Sequence, residues 1–228
     1  GVSVEFAVDA ATPVYRIKLV ARGRVASVTL DALTAQPVVA SPDGPPRPEA
    51  AKTEPAKATV WNFDKAEPGK LPEGWKAGET GSSTPAGRWE VARDDGATSK
   101  PNVFSLVAGA GADSAYSVAM LGGTSAKDLE LSVRVRANGG KVDQGGGLIW
   151  RCRDENNYYI CRFNPLESNF RVYHVVDARR TQLASAKVET VAGRWYTVRV
   201  VMKGAEIVCW LDDQKLLEAK DETFAEAG

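Results

Sequence analysis

Gly145-Gly146-Gly147-Leu148-Ile149-Trp150-Arg151-Cys152-Arg153, Asp154-Glu155-Asn156-Asn157 and Tyr158-Tyr159-Ile160-Cys161-Arg162-Phe163 follow one another without a break. Two runs rich in aromatic and β-branched residues flank four turn formers, so the stretch reads as a β-hairpin. Either a two-residue or a four-residue turn puts Arg153 opposite Tyr158 and Trp150 opposite Cys161. Side chains alternate with period two. One face then holds Leu148, Trp150, Cys152, Tyr159, Cys161 and Phe163 and is suited to a core. The other holds Ile149, Arg151, Arg153, Tyr158, Ile160 and Arg162, a sheet surface carrying three guanidinium groups and a phenol.

The same reading extends outward. Leu129 to Arg136 alternates over eight residues, with Leu129, Leu131, Val133 and Val135 on one side and Glu130, Ser132, Arg134 and Arg136 on the other; this is a half-buried strand. Trp195–Met202 and Ile207–Leu211 form a further hairpin, and Asp212-Asp213 turns the chain into Lys215-Leu216-Leu217. Glu67–Gly74 and Gly78–Gly87 read as loops. Many short strands and no long helix give an all-β fold, an antiparallel β-sandwich.

Residues 41–59 (SPDGPPRPEAAKTEPAKAT) carry five prolines and no large apolar side chain. Such a segment cannot bury enough surface to offset its ordering entropy and reads as a semi-rigid linker. Before it, within residues 1–40, Val14–Val20 and Val25–Leu30 form a β-hairpin unit. Residues 60–228 are the sandwich.

The arginine-rich face has two readings. It is a solvated outer surface, or it is a ligand platform, since planar guanidinium donors meet sugar hydroxyls and aromatic rings pack on pyranose faces. The candidate ligand-binding residues are Arg151, Arg153, Tyr158 and Arg162, with Arg171 and His174 on the following segment bordering the face according to register.

The bulk numbers exclude several classes. Of 228 residues, 29 are Lys or Arg and 29 Asp or Glu, and this zero formal charge argues against nucleic acid as partner. No apolar run approaches the ~20 residues that span a bilayer. Cys152, Cys161 and Cys209 lack paired spacing, and His174 is the only histidine, so no metal or cofactor is expected. Cys152 and Cys161 share a face diagonally, too far apart for a disulfide. The chain opens Gly1-Val2-Ser3-Val4-Glu5 without Met or an apolar leader, and is expected to be a processed or partial product.

Asp143–Arg151, Asn156–Asn164 and Asn169–Val175, with Leu71–Trp75, Gly193–Val200 and Asp221–Phe224, resemble the concanavalin A-like laminarin-binding and glucanase jelly roll. More narrowly they are similar to the bacterial family-16-like or 3-keto-disaccharide hydrolase domain. In that family a strand pair with Gly-Leu-Trp and Phe-Asp-Asp follows the final glycine; this chain stops at Gly228, short of it. The tyrosine-bearing strand at Val14–Val20 and the Asp31-Ala32-Leu33-Thr34 turn resemble the closing half of a PepSY domain, with Ala35 where that family has glycine. The resemblance implies an extracytoplasmic (periplasmic or secreted) bacterial protein whose partner is a glycan or oligosaccharide.

Catalysis has little support in the residues. The Glu-x-Asp-x-x-Glu strand of family-16 glucanases, which sets two carboxylates on one face, is absent. Asp128 and Glu130 form a same-side acid pair, Asp154–Asn157 could offer oxygens to calcium, and His174 lacks a recognisable nucleophile nearby. The expected function is a noncatalytic carbohydrate-recognising module. The alternatives are a glycoside or 3-keto-disaccharide hydrolase and a structural, protein-interacting sandwich. If residues 41–59 form an open spacer, trypsin should cut first after Lys52, because Pro48 protects Arg47, and leave a stable C-terminal fragment on a gel. Resistance throughout the stretch would refute the two-part organisation.

Overall fold

The structure is a computed structural model. It describes the backbone of three strands within the first 31 residues and, from residue 58 on, every residue except 83–86, 109–115 and 142. The chain divides into two units, Gly1–Thr59 and Val60–Gly228. In the first, β1 (Val2–Asp9), β2 (Thr12–Ala21) and β3 (Arg24–Asp31) form an antiparallel sheet in that order. Ile17 lies opposite Val28 and Ala21 opposite Arg24, the hairpin the sequence predicts, with β1 as a third strand it does not. Residues 41–57 of the expected linker lie outside the described residues.

The second unit is an antiparallel sandwich. β9 (Gly146–Asp154), β10 (Asn157–Asn164), β11 (Asn169–Val176) and β12 (Arg179–Lys187) make one sheet. β8 (Leu129–Arg136), β13 (Trp195–Lys203), β14 (Glu206–Leu211) and β15 (Gln214–Lys220) make the other. Between them Trp150, Tyr159, Cys161, Phe163, Phe170 and Val172 meet Tyr196, Val198, Val200, Met202, Ile207 and Cys209. Each large apolar side chain so buried contributes roughly 1.5–3 kcal/mol. The alternation of β8 holds, because Leu129, Leu131, Val133 and Val135 pack against this core while Glu130 and Arg134 stay exposed.

Two ribbons complete the unit. β4 (Trp75–Thr80) pairs with β7 (Tyr116–Leu121), and β5 (Arg88–Arg93) with β6 (Asn102–Ala108). Trp75 and Trp89 lie 4.9 and 5.2 Å from Phe104, centroid to centroid. Gly78, read as loop from sequence, is inside β4. A Cβ there would fall 2.8 Å from Glu155 Cβ and 2.9 Å from Met120 Cε, so the glycine lets the tip of the β9–β10 hairpin close onto the ribbon.

The central hairpin departs from the predicted register. Its turn has two residues, with Asp154 opposite Asn157, but Trp150 faces Tyr159 and Leu148 faces Cys161. Arg151, Cys152 and Arg153 thus oppose Tyr158 alone, and Arg151 takes the left-handed region at φ 42°. This is a bulge, and it reverses side-chain direction. Cys152 packs with Tyr158 and Ile160 on the face away from the core, so it does not share a face with Cys161 as expected. All three cysteines are free.

Arg151 is turned inward and only 1% exposed. Its Nε donates to Lys127 O at 2.8 Å, Nη1 to Phe224 O at 2.7 Å and Nη2 to Gly204 O at 2.8 Å. One guanidinium therefore ties the entry to β8, the β13–β14 turn and the C-terminal segment. Its predicted place on the ligand face is wrong. Arg153 leaves that face too, and its guanidinium lies 5.0 Å from the ring of the core residue Phe224.

His174 likewise points to the core side of β11, not to the ligand face. Its Nδ1 is 3.1 Å from Asp221 Oδ2 and 3.1 Å from Thr223 Oγ1. Tyr159 Oη donates to Asp221 Oδ1 at 2.6 Å and accepts from Phe224 N at 3.1 Å. Burial opposes ionisation of Asp221, but hydrogen bonds led by that of Tyr159 hold its carboxyl below the usual range. Together with Arg151, this network latches the last segment onto the sandwich.

Two stability predictions follow from these contacts. Arg151→Ala leaves three carbonyls without their donor and should cost about 3 kcal/mol or more in urea unfolding; a loss within ~0.5 kcal/mol would show the tie to be idle. Burial raises Tyr158 and Tyr159 from about 10 to about 12. A raised folded value means that this stability is complete below pH 10 and is lost as pH rises from 10 to 12. Each phenol should remove on the order of 3 kcal/mol across that window, and unfolding midpoints that do not fall between its ends would contradict the assignment.

Candidate functional site

The face of the β9–β12 sheet away from the core is organised in rows set by register. Tyr158, Val175 and Arg180 form one row; Ile149, Ile160, Tyr173 and Gln182 the next; Gly147, Arg162, Arg171 and Ser185 a third; Asn164, Asn169 and Lys187 the last. The ribbon strand β7 covers the first end, where Val118 and Met120 pack on Tyr158, Val175, Ile149 and Ile160. Tyr158 lies on the predicted face but is 1% exposed, its hydroxyl 2.7 Å from Thr80 Oγ1. Buried beneath the ribbon, it is a packing residue and not a ligand contact.

Arg162 and Arg171 do come together, directly opposite one another. Arg162 is buried, with Nη1 donating to Asn169 Oδ1 at 2.9 Å and Nη2 to Glu167 Oε2 at 3.1 Å. Arg171 keeps 31% of its side chain exposed and donates to the same Glu167 oxygen at 3.3 Å and to Ser185 Oγ at 3.2 Å. The Tyr173 hydroxyl lies 3.5 Å from Arg162 Nη2 and 3.4 Å from Arg171 Nη1. Gly147 adds no side chain beside Arg162, and a Cβ there would meet Cys161 O at 1.9 Å. The close approach of the strands thus requires glycine at this position.

Glu167 is held below the usual carboxylate range, first by the hydrogen bond from Asn169 and then by Arg162. It is a fixed anion shared by two guanidiniums. A carboxylate so stabilised orients donors and accepts hydrogen bonds, and is a weak proton abstractor near neutrality. The other acid at this end, Asp143, accepts from Asn164 Nδ2 at 2.6 Å and Gly145 N at 2.7 Å.

The remaining sequence candidates serve elsewhere. Asp128 accepts from Gly204 N at 2.8 Å and Glu130 pairs with Arg199 at 2.6 Å, both at the opposite sheet. Asp154 closes the hairpin turn through Asn156 N at 2.7 Å and Asn157 Nδ2 at 2.9 Å. Tyr173, Glu167, Asn169 and Arg180 were not foreseen. The signal was present: an Asn164–Asn169 turn pairs Arg162 with Arg171 by the same counting used for the preceding hairpin.

Among solved structures, the carbohydrate-binding module CBM66 from Bacillus subtilis is similar at 17% identity and a TM-score of 0.47, over 68% of this chain and 83% of that one. No curated protein sequence matches the chain significantly. Residues 61–228 match the family described as the 3-keto-alpha-glucoside-1,2-lyase-like domain, and the chain belongs to that family.

Proposed function

We propose that residues 60–228 form a noncatalytic carbohydrate-recognising module of a bacterial extracytoplasmic protein, with the glycan seated over Arg162, Arg171 and Glu167. Family membership ties the domain to carbohydrate. The observation that carries the binding reading is the shared Glu167: it fixes one buried and one partly exposed guanidinium side by side, at the end of the sheet that no described ribbon strand covers. Pre-oriented donors next to an acceptor suit vicinal hydroxyls, which present both functions at similar spacing. Tyr173 is 4% exposed and lies under guanidinium groups, so recognition here runs through hydrogen bonds more than through ring stacking.

The noncatalytic reading is supported by the low basicity of Glu167, by the engagement of Asp143 with Asn164 and Gly145, and by the placement of Asp128, Glu130 and His174 away from this face. The extracytoplasmic setting is supported by the PepSY resemblance of the first unit. The family description favours one second reading, an enzyme cleaving 3-keto-glucosides. Binding and product release from a neutral glycan and 3-keto-α-glucoside panel separate the two. A module should bind in the micromolar to millimolar range, roughly −8 to −4 kcal/mol, and release no product. Arg171→Ala should weaken binding about tenfold with unfolding unchanged, since this side chain is partly exposed and closes no core contact. Undiminished binding would remove the platform from the account, and turnover of the keto-glucoside would replace the module with an enzyme.

A further inference from the structure

The third guanidinium of this face is held differently from the other two. Arg180 Cζ lies 4.5 Å from the ring centroid of Tyr116 and 4.6 Å from that of Tyr173. Tyr116 belongs to β7 and Tyr173 to β11, so rings from two separate elements grip one guanidinium. Among the described residues the Arg180 guanidinium has no ion pair and no hydrogen bond, and the residue is exposed. Aromatic faces orient a guanidinium without occupying its N–H groups. Arg162 and Arg171, by contrast, have already committed donors to Glu167.

Among the described residues the charge around it is unbalanced. Arg162, Arg171, Arg180 and Lys187 stand on the rows of this face, against Glu167 and Asp143, whose oxygens are engaged by neighbouring donors. A neutral sugar settling over Arg180 would strip water from a cation and return no charge. A carboxylate would return two parallel charge-assisted hydrogen bonds to a planar fork that is already oriented.

We propose that Arg180 is a carboxylate-recognising residue and that the ligand of this face is an acidic saccharide, one bearing a uronic-acid carboxylate. The proposal rests on the carbohydrate reading above and narrows its ligand class. The test is calorimetric titration of the whole chain with oligosaccharides matched in linkage that carry a hydroxymethyl, a carboxylate or a sulfate ester at C6, at about 50 and about 300 mM salt. The carboxylate member should bind about tenfold more tightly than its neutral partner, with the preference shrinking at the higher salt. Arg180→Gln should collapse that ratio to near one. Should Arg180→Gln fail to fold, Arg180→Lys, which keeps the charge without the fork, should still lose most of the preference.

Equal binding of acid and neutral members, an unchanged ratio in the Arg180 variants, or preference for the sulfate ester overturns the proposal. If neutral members bind as well and are weakened by Arg171→Ala, the carbohydrate platform stands while the acidic ligand falls. If no saccharide binds, both fall.

Discussion

A guanidinium cannot sit in a protein interior without acceptors, and at the rim of this sandwich Arg151 meets that demand with main-chain carbonyls from three separated segments. The demand shapes what surrounds it. To reach those carbonyls the backbone takes a positive φ at Arg151 and bulges against β10, and the bulge in turn sends Cys152 to the far face and leaves Arg153 over Phe224. The C-terminal segment is held from both sides, by Arg151 at Phe224 O and by Tyr159 and His174 at Asp221. A charge-assisted hub of this kind stabilises through its geometry and would be costly if any partner were withdrawn.

The candidate site follows from how one sheet divides its two faces. The inner face is mainly apolar, with Arg151 and His174 at its rim tied to the C-terminal segment, and is closed by the second sheet. The outer face is apolar only where the β4–β7 ribbon lies on it, and beyond the ribbon it becomes a cluster of guanidiniums, amides and one shared carboxylate. Arg180 stands at the border, where Tyr116 from the ribbon and Tyr173 from the sheet converge on it. Covering half of a face thus produces a step, with a packed wall at one end and a polar floor at the other.

The sequence by itself determined the all-β class, the strands at Leu129–Arg136 and Trp195–Leu211, and the inward set Trp150, Tyr159, Cys161 and Phe163. Period-two alternation against an apolar core admits one pairing phase per strand, so these residues had nowhere else to go. The pairing of Arg162 with Arg171 was implicit in the same counting. Only the tertiary structure decided the fate of Arg151, Arg153, Tyr158 and His174. Alternation assumes an unbroken ladder, and a bulge is driven by distant acceptors, here at Lys127, Gly204 and Phe224, that local pattern does not contain. Tyr158 was buried by a ribbon some 40 residues upstream, and His174 was claimed by Asp221, 47 positions downstream. Long-range contacts of this kind carry no periodic signature. They are set by which segments the closed sandwich brings within hydrogen-bonding distance.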